Sequence, residues 1–538
     1  MFNLTSSSLH RLINEHYRTA VYRLNDDLLS MIFFVISGPV DRLDHSLKSA
    51  ILLSHICRRW RSLALSLARL WNTVHWRPGG RQHVEAALAA LDRSRNAPLA
   101  VQIQLSRIPR SDDTLLSDLN DGHALLRAVL TPQHLRRMTD FSLSVSQPFW
   151  DDELLQPFFH PGRLAMPALR QLSLYFWMQE TRTDLDVNID CSDLKELHVV
   201  GLRTREPGIM VGPSTTRVAL GCGDLKLTDV VSVLQHGSGL QSFEIGTILG
   251  HFTTIIHDID PNNINFCAGR IAGTVANLRN FSVHELWSPG DFATLQDVIS
   301  TSTIRCCCVA QSYDPIAEEA WVRFLDMPSL GDVVELRLSG SRGEEIEFIA
   351  AKHNRTRELY CDKATAFACL PLALDSHPAI LSTLEALTLD IVKWTEYMDI
   401  VEARGARMPL LQRVHLIIHQ YYVDKFGLED EMEDYLGAPI DMPRLESVVF
   451  DIGRSTPPSV NLTIRFLAIS IQLLRCMTRG NARWGVAFVG GEEAKAVFAS
   501  RCEEIAKSVP EEEQTTLHVV AAAWPPFILG TDRDAEDA

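Results

Sequence analysis

The sequence lacks an apolar run that could cross a bilayer, and it lacks the common phosphate-binding and nucleophile motifs. The run Met31 to Ile36, the longest near the N-terminus, is far below the roughly 20 residues that a membrane-spanning helix needs. No Walker-type loop, Gly-x-Gly-x-x-Gly or Gly-x-Ser-x-Gly is present. These absences argue against a membrane anchor and against the usual routes to nucleotide binding and acyl transfer.

Cysteine and histidine do not form a recognisable metal site. The 11 Cys have no regular spacing, and Cys306, Cys307 and Cys308 are adjacent, so on a strand their side chains alternate between faces and cannot close a tetrahedron alone. His415 and His419 are four apart, but Val414 to Ile418 has a strand pattern and no third ligand is evident. We expect no metal, no cofactor and no catalytic residues, so we expect that the protein is not an enzyme.

The odd cysteine count and the polar N-terminal segment indicate reduced thiols and no export, which favours a cytoplasmic and/or nuclear protein. The charge is uneven. Residues 1–110 hold 15 Lys or Arg and 7 Asp or Glu, a net charge of +8, whereas the rest of the chain carries −24 of the total of −16. An acidic body repels phosphate backbones, so nucleic acid is not expected as the main ligand.

With 538 residues, 46% of them apolar and 22% charged, the chain has the balance of a globular protein with two to four domains or an elongated repeat array. Near the N-terminus, Leu24, Leu28, Ile32 and Ile36 recur every fourth residue, which predicts a helix capped by Asn25 that stops near residues 37–39. A second apolar stripe predicts another amphipathic helix with arginines on its outer face. This stripe consists of Leu53, Ile56, Cys57, Trp60, Leu63 and Ala64.

These residues resemble the F-box, especially the version common in mushroom-forming fungi. The resemblance covers about 50 residues and rests on Leu24-Asn-Asp-Asp-Leu-Leu, on Ile56-Cys-Arg-Arg-Trp60 and on Leu70-Trp71. The chain departs from the family in having Asn25 where Pro is usual, and in a longer stretch from Ser37 to Ser49. Asn and Pro are alternative residues at a helix start, and a loop between helices can accommodate the additional length.

The resemblance implies that this module docks the Skp adaptor of an SCF-type ubiquitin ligase, which also contains a cullin. The chain would then be the substrate-recognition subunit and would make no bonds itself. The adaptor-binding seam, shared between the module's own core and the adaptor, would have Trp60 as its anchor. Its residues would be Leu24, Leu28, Ile32, Phe33, Ile56, Cys57, Trp60 and Leu63.

Behind the module, Arg81 to Ser94 has a helix pattern, and Leu99 to Leu105 alternates as a strand. The pattern Leu-x-x-Leu-x-Leu then recurs eight times, beginning at Leu169, Leu194, Leu240, Leu278, Val333, Leu384, Leu411 and Leu445. Weaker copies begin at Thr215, Ile304 and Thr356. This pattern is typical of leucine-rich repeats, in which the spaced apolar residues lie on core-facing strands of a parallel sheet.

Four copies are preceded by Met-Pro, at Met166, Met327, Met408 and Met442. The intervals are irregular, so an ordinary α/β domain with leucine-rich strands remains the alternative. The predicted fold is α/β: a short all-helical F-box followed by an irregular leucine-rich-repeat-like solenoid with a parallel sheet. The expected segments are a leader (1–23), the F-box (24–76), the repeat array (77–455), a capping region (456–530) and an acidic tail (531–538).

The predicted function is to hold a protein substrate, of unknown identity, on the repeats while the F-box binds the ligase. A non-ligase interaction scaffold is the main alternative. An enzyme with an unrecognised C-terminal site is the weaker one.

Overall fold

The protein is described here by a computed structural model, which combines helices with a largely parallel sheet. The described residues are 24–37, 43–78, 81–105, 112–146, 155–159, 164–177, 189–201, 210–221, 227–246, 271–272, 274–275, 277–286, 304, 306–311, 335–339, 345–352, 355–362, 379–390, 394–403, 407–417, 442–445, 447–451, 485–489 and 518–520. The predicted leader and acidic tail lie outside these residues, as do most of the predicted capping region, Met327 and His419.

The chain divides into two compact units. The first consists of residues 1–224 with 235–239, and the second of 225–234 with 240–538. No such division was predicted inside the repeat array. Helices of the described part are α1 (Asp26–Ser37), α2 (Leu43–Ile56), α3 (Arg58–Ser66), α4 (Arg81–Arg93), α5 (Asp112–Val129), α6 (Pro132–Leu135), α7 (Leu227–His236), α8 (Ala379–Thr383) and α9 (Trp394–Ala403).

The first unit contains six strands that pair in parallel in chain order, β1 to β6. They are β1 (Thr73–Trp76), β2 (Leu99–Leu105), β3 (Met138–Ser146), β4 (Gln171–Trp177), β5 (Glu196–Val200) and β6 (Arg217–Gly221). Because side chains alternate along a strand, each strand gives one face to the core. One row of the core is formed by the aligned and buried Val101, Phe141, Leu172, Leu197 and Val218.

The second unit contains eleven strands within the described residues. They are β7 (Ser242–Ile245), β8 (Asn280–Leu286), β9 (Cys306–Gln311), β10 (Glu335–Ser339), β11 (Glu345–Lys352), β12 (Arg355–Asp362), β13 (Ala386–Asp390), β14 (Arg413–Ile417), β15 (Ser447–Asp451), β16 (Gly485–Val489) and β17 (His518–Val520). The run β7–β8–β9 is parallel, and so is the run β13 to β17. The sheet therefore extends through β16 and β17 into the region predicted as a cap.

The order of strands departs from a uniform solenoid between β9 and β13. Strand β12, not β10, pairs with β9, and β10 pairs with β13. Strand β11 lies between β10 and β12 and is antiparallel to both. The sheet departs here from the predicted parallel arrangement, because the three strands β10, β11 and β12 are connected as an antiparallel meander.

The predicted repeat motifs lie on strands of this sheet. The last two apolar positions of all eight strong matches fall on β4, β5, β7, β8, β10, β13, β14 and β15, and those of the three weak matches fall on β6, β9 and β12. A tight turn comes before several strands, and in three of them the turn follows Met-Pro. The carbonyls of Met166, Met408 and Met442 each accept the N–H of the leucine three residues later, at 3.0 to 3.3 Å. These turns bury the first motif leucine before the strand begins.

Candidate functional site

Helix α1 begins as predicted. The side-chain Oδ1 of Asn25 accepts the backbone N–H of Leu28 at 2.8 Å, and the Asn25 carbonyl accepts that of Leu29 at 3.1 Å. Asp26 and Asp27 occupy the first turn, where negative charge is favourable. The helix ends at Ser37, whose hydroxyl donates to the carbonyl of Phe34. The Asn25 cap supplies the start signal for α1 that Pro would otherwise give.

The second predicted helix is two helices. Cys57 has extended backbone angles, φ −155° and ψ 171°, and separates α2 from α3. Its thiol accepts the N–H of Trp60 at 3.4 Å, and its carbonyl accepts the N–H of Arg61, so Cys57 caps α3. The stretch after Ser37, predicted as a long loop, is helical from Leu43 onwards. The prediction of one continuous amphipathic helix from Leu53 to Ala64 is therefore wrong.

Arg59 joins the start of α1 to α3. Its guanidinium donates to Asp26 Oδ1 at 2.7 and 3.0 Å and to the carbonyl of Leu24 at 2.6 Å. Arg59 was predicted to lie on a free outer face, and this contact corrects that prediction. The carboxylate of Asp26 is largely exposed, so the pair fixes geometry more than it stabilises the fold.

The interior of the three-helix module centres on Phe33 and Trp60. Phe33 is fully buried, and its ring centroid lies 4.9 Å from that of Trp60 with the planes tilted by 56°. Leu29, Phe33 and Ser37, at intervals of four, are the buried residues of α1. This spacing gives α1 a narrow inner face, so most of its other apolar side chains lie on its outer face.

Seven large apolar side chains are exposed on the outer faces of α1 and α2. Val35 is 80% exposed, Leu52 is 65% exposed and Met31 is 64% exposed. We call the whole set the α1–α2 apolar surface; it consists of Leu28, Met31, Ile32, Val35 and Ile36 on α1 and Leu52 and Ile56 on α2. Among the residues whose side-chain burial the structure describes, no other large apolar side chain is exposed.

The eight residues of the predicted adaptor-binding seam divide between interior and surface. Leu28, Ile32 and Ile56 belong to the α1–α2 apolar surface. Phe33 is buried and can contact no partner in this conformation, so for Phe33 the interior role applies. The remaining four are half-buried, and among them Trp60 packs on Phe33 rather than standing free as an anchor; the four are Leu24, Cys57, Trp60 and Leu63.

The predicted seam left out Met31, Val35, Ile36 and Leu52. A signal for them exists in the sequence, because eight of the 12 residues of α1 are apolar. A helix with one buried face needs only about three or four apolar residues in two turns. An excess of this size indicates a second covered face.

Cationic groups are also exposed in the N-terminal module. Arg69 is exposed and its guanidinium lies 5.3 Å from the centroid of the Phe34 ring, and Lys48 and Arg58 are exposed on α2 and α3.

Among the described residues there is no group of three His, Cys, Asp or Glu that could hold a metal ion. His415 and the three adjacent cysteines lie on strands β14 and β9, as predicted. In the described part no helix is long and apolar enough to cross a membrane.

A half-open cavity of about 390 Å³ lies between the end of α4 and the start of α6. Its central guanidinium, that of Arg137, donates to the Ala97 carbonyl, to Ser94 Oγ and to His134 Nδ1. Burial, followed by the charge of Arg137, lowers the pKa of His134. These contacts hold the C-terminal end of α4 in place.

No protein-family model, curated protein or solved structure matches this chain. The fold and the surface define a mixed α/β protein with a largely parallel sheet, in which the N-terminal helices α1 and α2 expose apolar side chains.

Proposed function

We propose that this protein is the substrate-recognition subunit of an SCF-type E3 ubiquitin ligase. In this proposal α1, α2 and α3 form an F-box that docks the Skp adaptor, and the strands form a leucine-rich-repeat-like array that binds a protein substrate. The observation that carries the proposal is the α1–α2 apolar surface.

Monomeric proteins rarely expose a large apolar patch without using it. Here, among the residues whose side-chain burial is described, the exposed large apolar side chains are confined to α1 and α2, which belong to the N-terminal segment that resembles an adaptor-binding module. Apolar residues on successive turns of a helix are the pattern by which a helix binds a hydrophobic groove. The aligned strands support the second part of the proposal, since a row of parallel strands presents one face to the core and the other to ligands.

Affinity capture from a lysate of the native host tests the proposal. The full chain is expected to retain the Skp adaptor together with the cullin. Val35→Asp and Leu52→Asp each place a charge on the α1–α2 apolar surface and should abolish capture of both proteins. Asn96→Asp adds the same charge at an exposed turn after α4 and serves as the matched control.

Two other outcomes are informative. Capture of the adaptor without the cullin would favour the non-ligase scaffold. Capture of neither protein by the unaltered chain would refute the ligase assignment.

A further inference from the structure

The second face of the first unit's sheet carries a row of polar side chains. Strand register places Ser173 of β4 beside His198 of β5, and Ala219 of β6 follows on the far side. Arg217 lies two residues before Ala219 and therefore on the same face. The aligned residues of β2 and β3, Gln102 and Ser142, continue this row of hydrogen-bonding side chains.

The guanidinium of Arg217 is incompletely paired. The side chain is half-buried, and its Nε is shielded from solvent and has no hydrogen-bond partner among the described residues. Its register neighbour on β5 is Glu196, but among the described residues no ion pair joins these two side chains. A guanidinium partly removed from water is costly unless it is paired, and a carboxylate can pair with it through two parallel hydrogen bonds.

His198 stands next to this guanidinium as a neutral ring. Burial, and then the charge of Arg217, lower the pKa of His198 to about 4. Its Nε2 is buried and has no partner. A neutral imidazole still carries one N–H, so the ring can donate a hydrogen bond to an anion without adding to the local charge. The neighbouring Ser173 is buried and carries a hydroxyl.

We propose that Ser173, His198 and Arg217 form a subsite for an acidic side chain of the polypeptide that the sheet recruits. The inference rests on the proposed function in one respect, because it takes the sheet to be the recruiting surface. The extent of the face argues for a polypeptide: six strands about 4.8 Å apart span about 24 Å, which exceeds a small molecule. The incompletely paired guanidinium determines the charge of the side chain that is bound.

Two carboxylates share this face. Asp140 on β3 accepts a hydrogen bond from the Thr139 hydroxyl at 2.6 Å, so it is already engaged. Glu196 is the nearer competitor for Arg217. If the subsite binds a carboxylate, Glu196→Gln should strengthen binding, because it removes the charge that repels the ligand. If Glu196 were instead the structural partner of Arg217, the same change would lower stability and leave binding unaltered.

The test uses a random-peptide phage library panned against the full chain. The selected peptides are expected to be enriched in Asp or Glu. Replacing the acidic residue of a selected peptide by its amide should weaken binding about tenfold to a hundredfold, as expected for hydrogen bonds to a charged group. Arg217→Gln should cause the same loss, and the two changes together should cost little more than either one.

The control is Arg170→Gln, which removes an equal charge from an exposed position before β4 and should leave affinity unchanged. Arg217→Gln removes an incompletely paired charge, so thermal unfolding should show no loss of stability. On binding, NMR should show the pKa of His198 rising above its free value, since a carboxylate favours the protonated ring. A purely structural Arg217 would produce neither the affinity loss nor this shift.

Selected peptides without acidic residues, a failure to select any peptide, or full affinity in Arg217→Gln would overturn the subsite. A change in oligomeric state in Arg217→Gln would also overturn it, in favour of a second copy as the occupant. Adaptor capture by the same variant reports on the proposed function separately, because that assay depends on α1 and α2. Lost peptide binding with retained adaptor capture is the expected combination.

Discussion

Phe33 and Val35 lie two residues apart on α1, and replacing each should have a different effect. Phe33→Ala is expected to unfold the helical module, because Phe33 is fully buried against Trp60. Val35→Asp is expected to leave the module folded and to abolish adaptor binding, because Val35 is 80% exposed. The pair therefore separates the interior of the module from its outer surface.

The magnitudes follow from burial. Removing a fully buried phenylalanine side chain costs about 3–5 kcal/mol in unfolding free energy. At the exposed position 35, valine and aspartate have similar helix propensities, but the new charge lies in the last turn of α1, where the helix dipole disfavours it. The unfolding free energy should therefore fall by no more than about 1 kcal/mol. Burial of an exposed valine under a partner is worth roughly 1.5–3 kcal/mol, so its loss alone weakens binding by at least about tenfold. The introduced carboxylate adds a desolvation cost to that loss.

Urea unfolding followed by tryptophan fluorescence measures the first quantity, since Trp60 and Trp71 lie in or beside the module. Titration with purified adaptor measures the second. If Val35→Asp lost as much stability as Phe33→Ala, the α1–α2 apolar surface would be covered within the chain itself. If it bound the adaptor normally, the surface would not be the docking site. Either result would refute the reasoning.

Three further changes test particular contacts. Gly201→Ala should lower the free energy of unfolding by about 2 kcal/mol or more in thermal melts, because φ of Gly201 is +77° and an added Cβ meets the carbonyl oxygen of Phe176. Gly212→Ala should change it very little, because the atoms nearest to an added Cβ lie 3.9 Å away. The folded-state pKa of His198, about 4, lies below its unfolded value of 6.5, so the folded state favours the neutral ring. The contribution of His198 to the free energy of unfolding is present above pH 6.5 and is lost as the pH falls toward 4, amounting to about 2 kcal/mol between pH 7 and pH 5. In urea melts, His198→Gln should reduce the dependence of the unfolding free energy on pH. An unchanged pH dependence would show that the ring is solvated. Asn25→Ala should cost about 1 kcal/mol in a urea melt through loss of the α1 cap, and an unaltered midpoint would show that the cap contributes nothing.

The strands were predictable because their signal is local. A motif such as Leu194-x-x-Leu197-x-Val199 places two apolar residues on one face, and that face must be covered. The order and direction of strands β10, β11 and β12 were not predictable in this way. Leu336 and Leu338 give the same alternation whether their neighbour runs parallel or antiparallel, so the meander is determined by long-range pairing.

The break between α2 and α3 left no signal in the sequence. Apolar residues continue at helical spacing through the break, and neither Pro nor Gly marks it. Cysteine at position 57 is not among the preferred N-cap residues, which are Ser, Thr, Asp and Asn. The cap at Asn25, by contrast, uses a preferred residue and was predicted.

Assignment of the seam residues failed for a related reason. Apolar periodicity finds residues that avoid water, but it does not distinguish burial inside the chain from burial under a partner. Phe33 and Ile32 both fit the apolar pattern of α1, yet one is buried and the other is exposed. The excess of apolar residues in α1 indicated that two faces would be covered, and only the packing of Trp60 on Phe33 shows which is the inner one.

The α1–α2 apolar surface also predicts how the free chain behaves without its partner. Exposed large apolar side chains on successive helical turns favour self-association, and among the residues whose side-chain burial is described such residues occur nowhere else. Self-association and adaptor binding would then compete for the same side chains. Sedimentation velocity of the isolated chain should show concentration-dependent association that purified adaptor reverses and that Val35→Asp removes. Association that persists in Val35→Asp would place the contact on another surface and would separate it from adaptor binding.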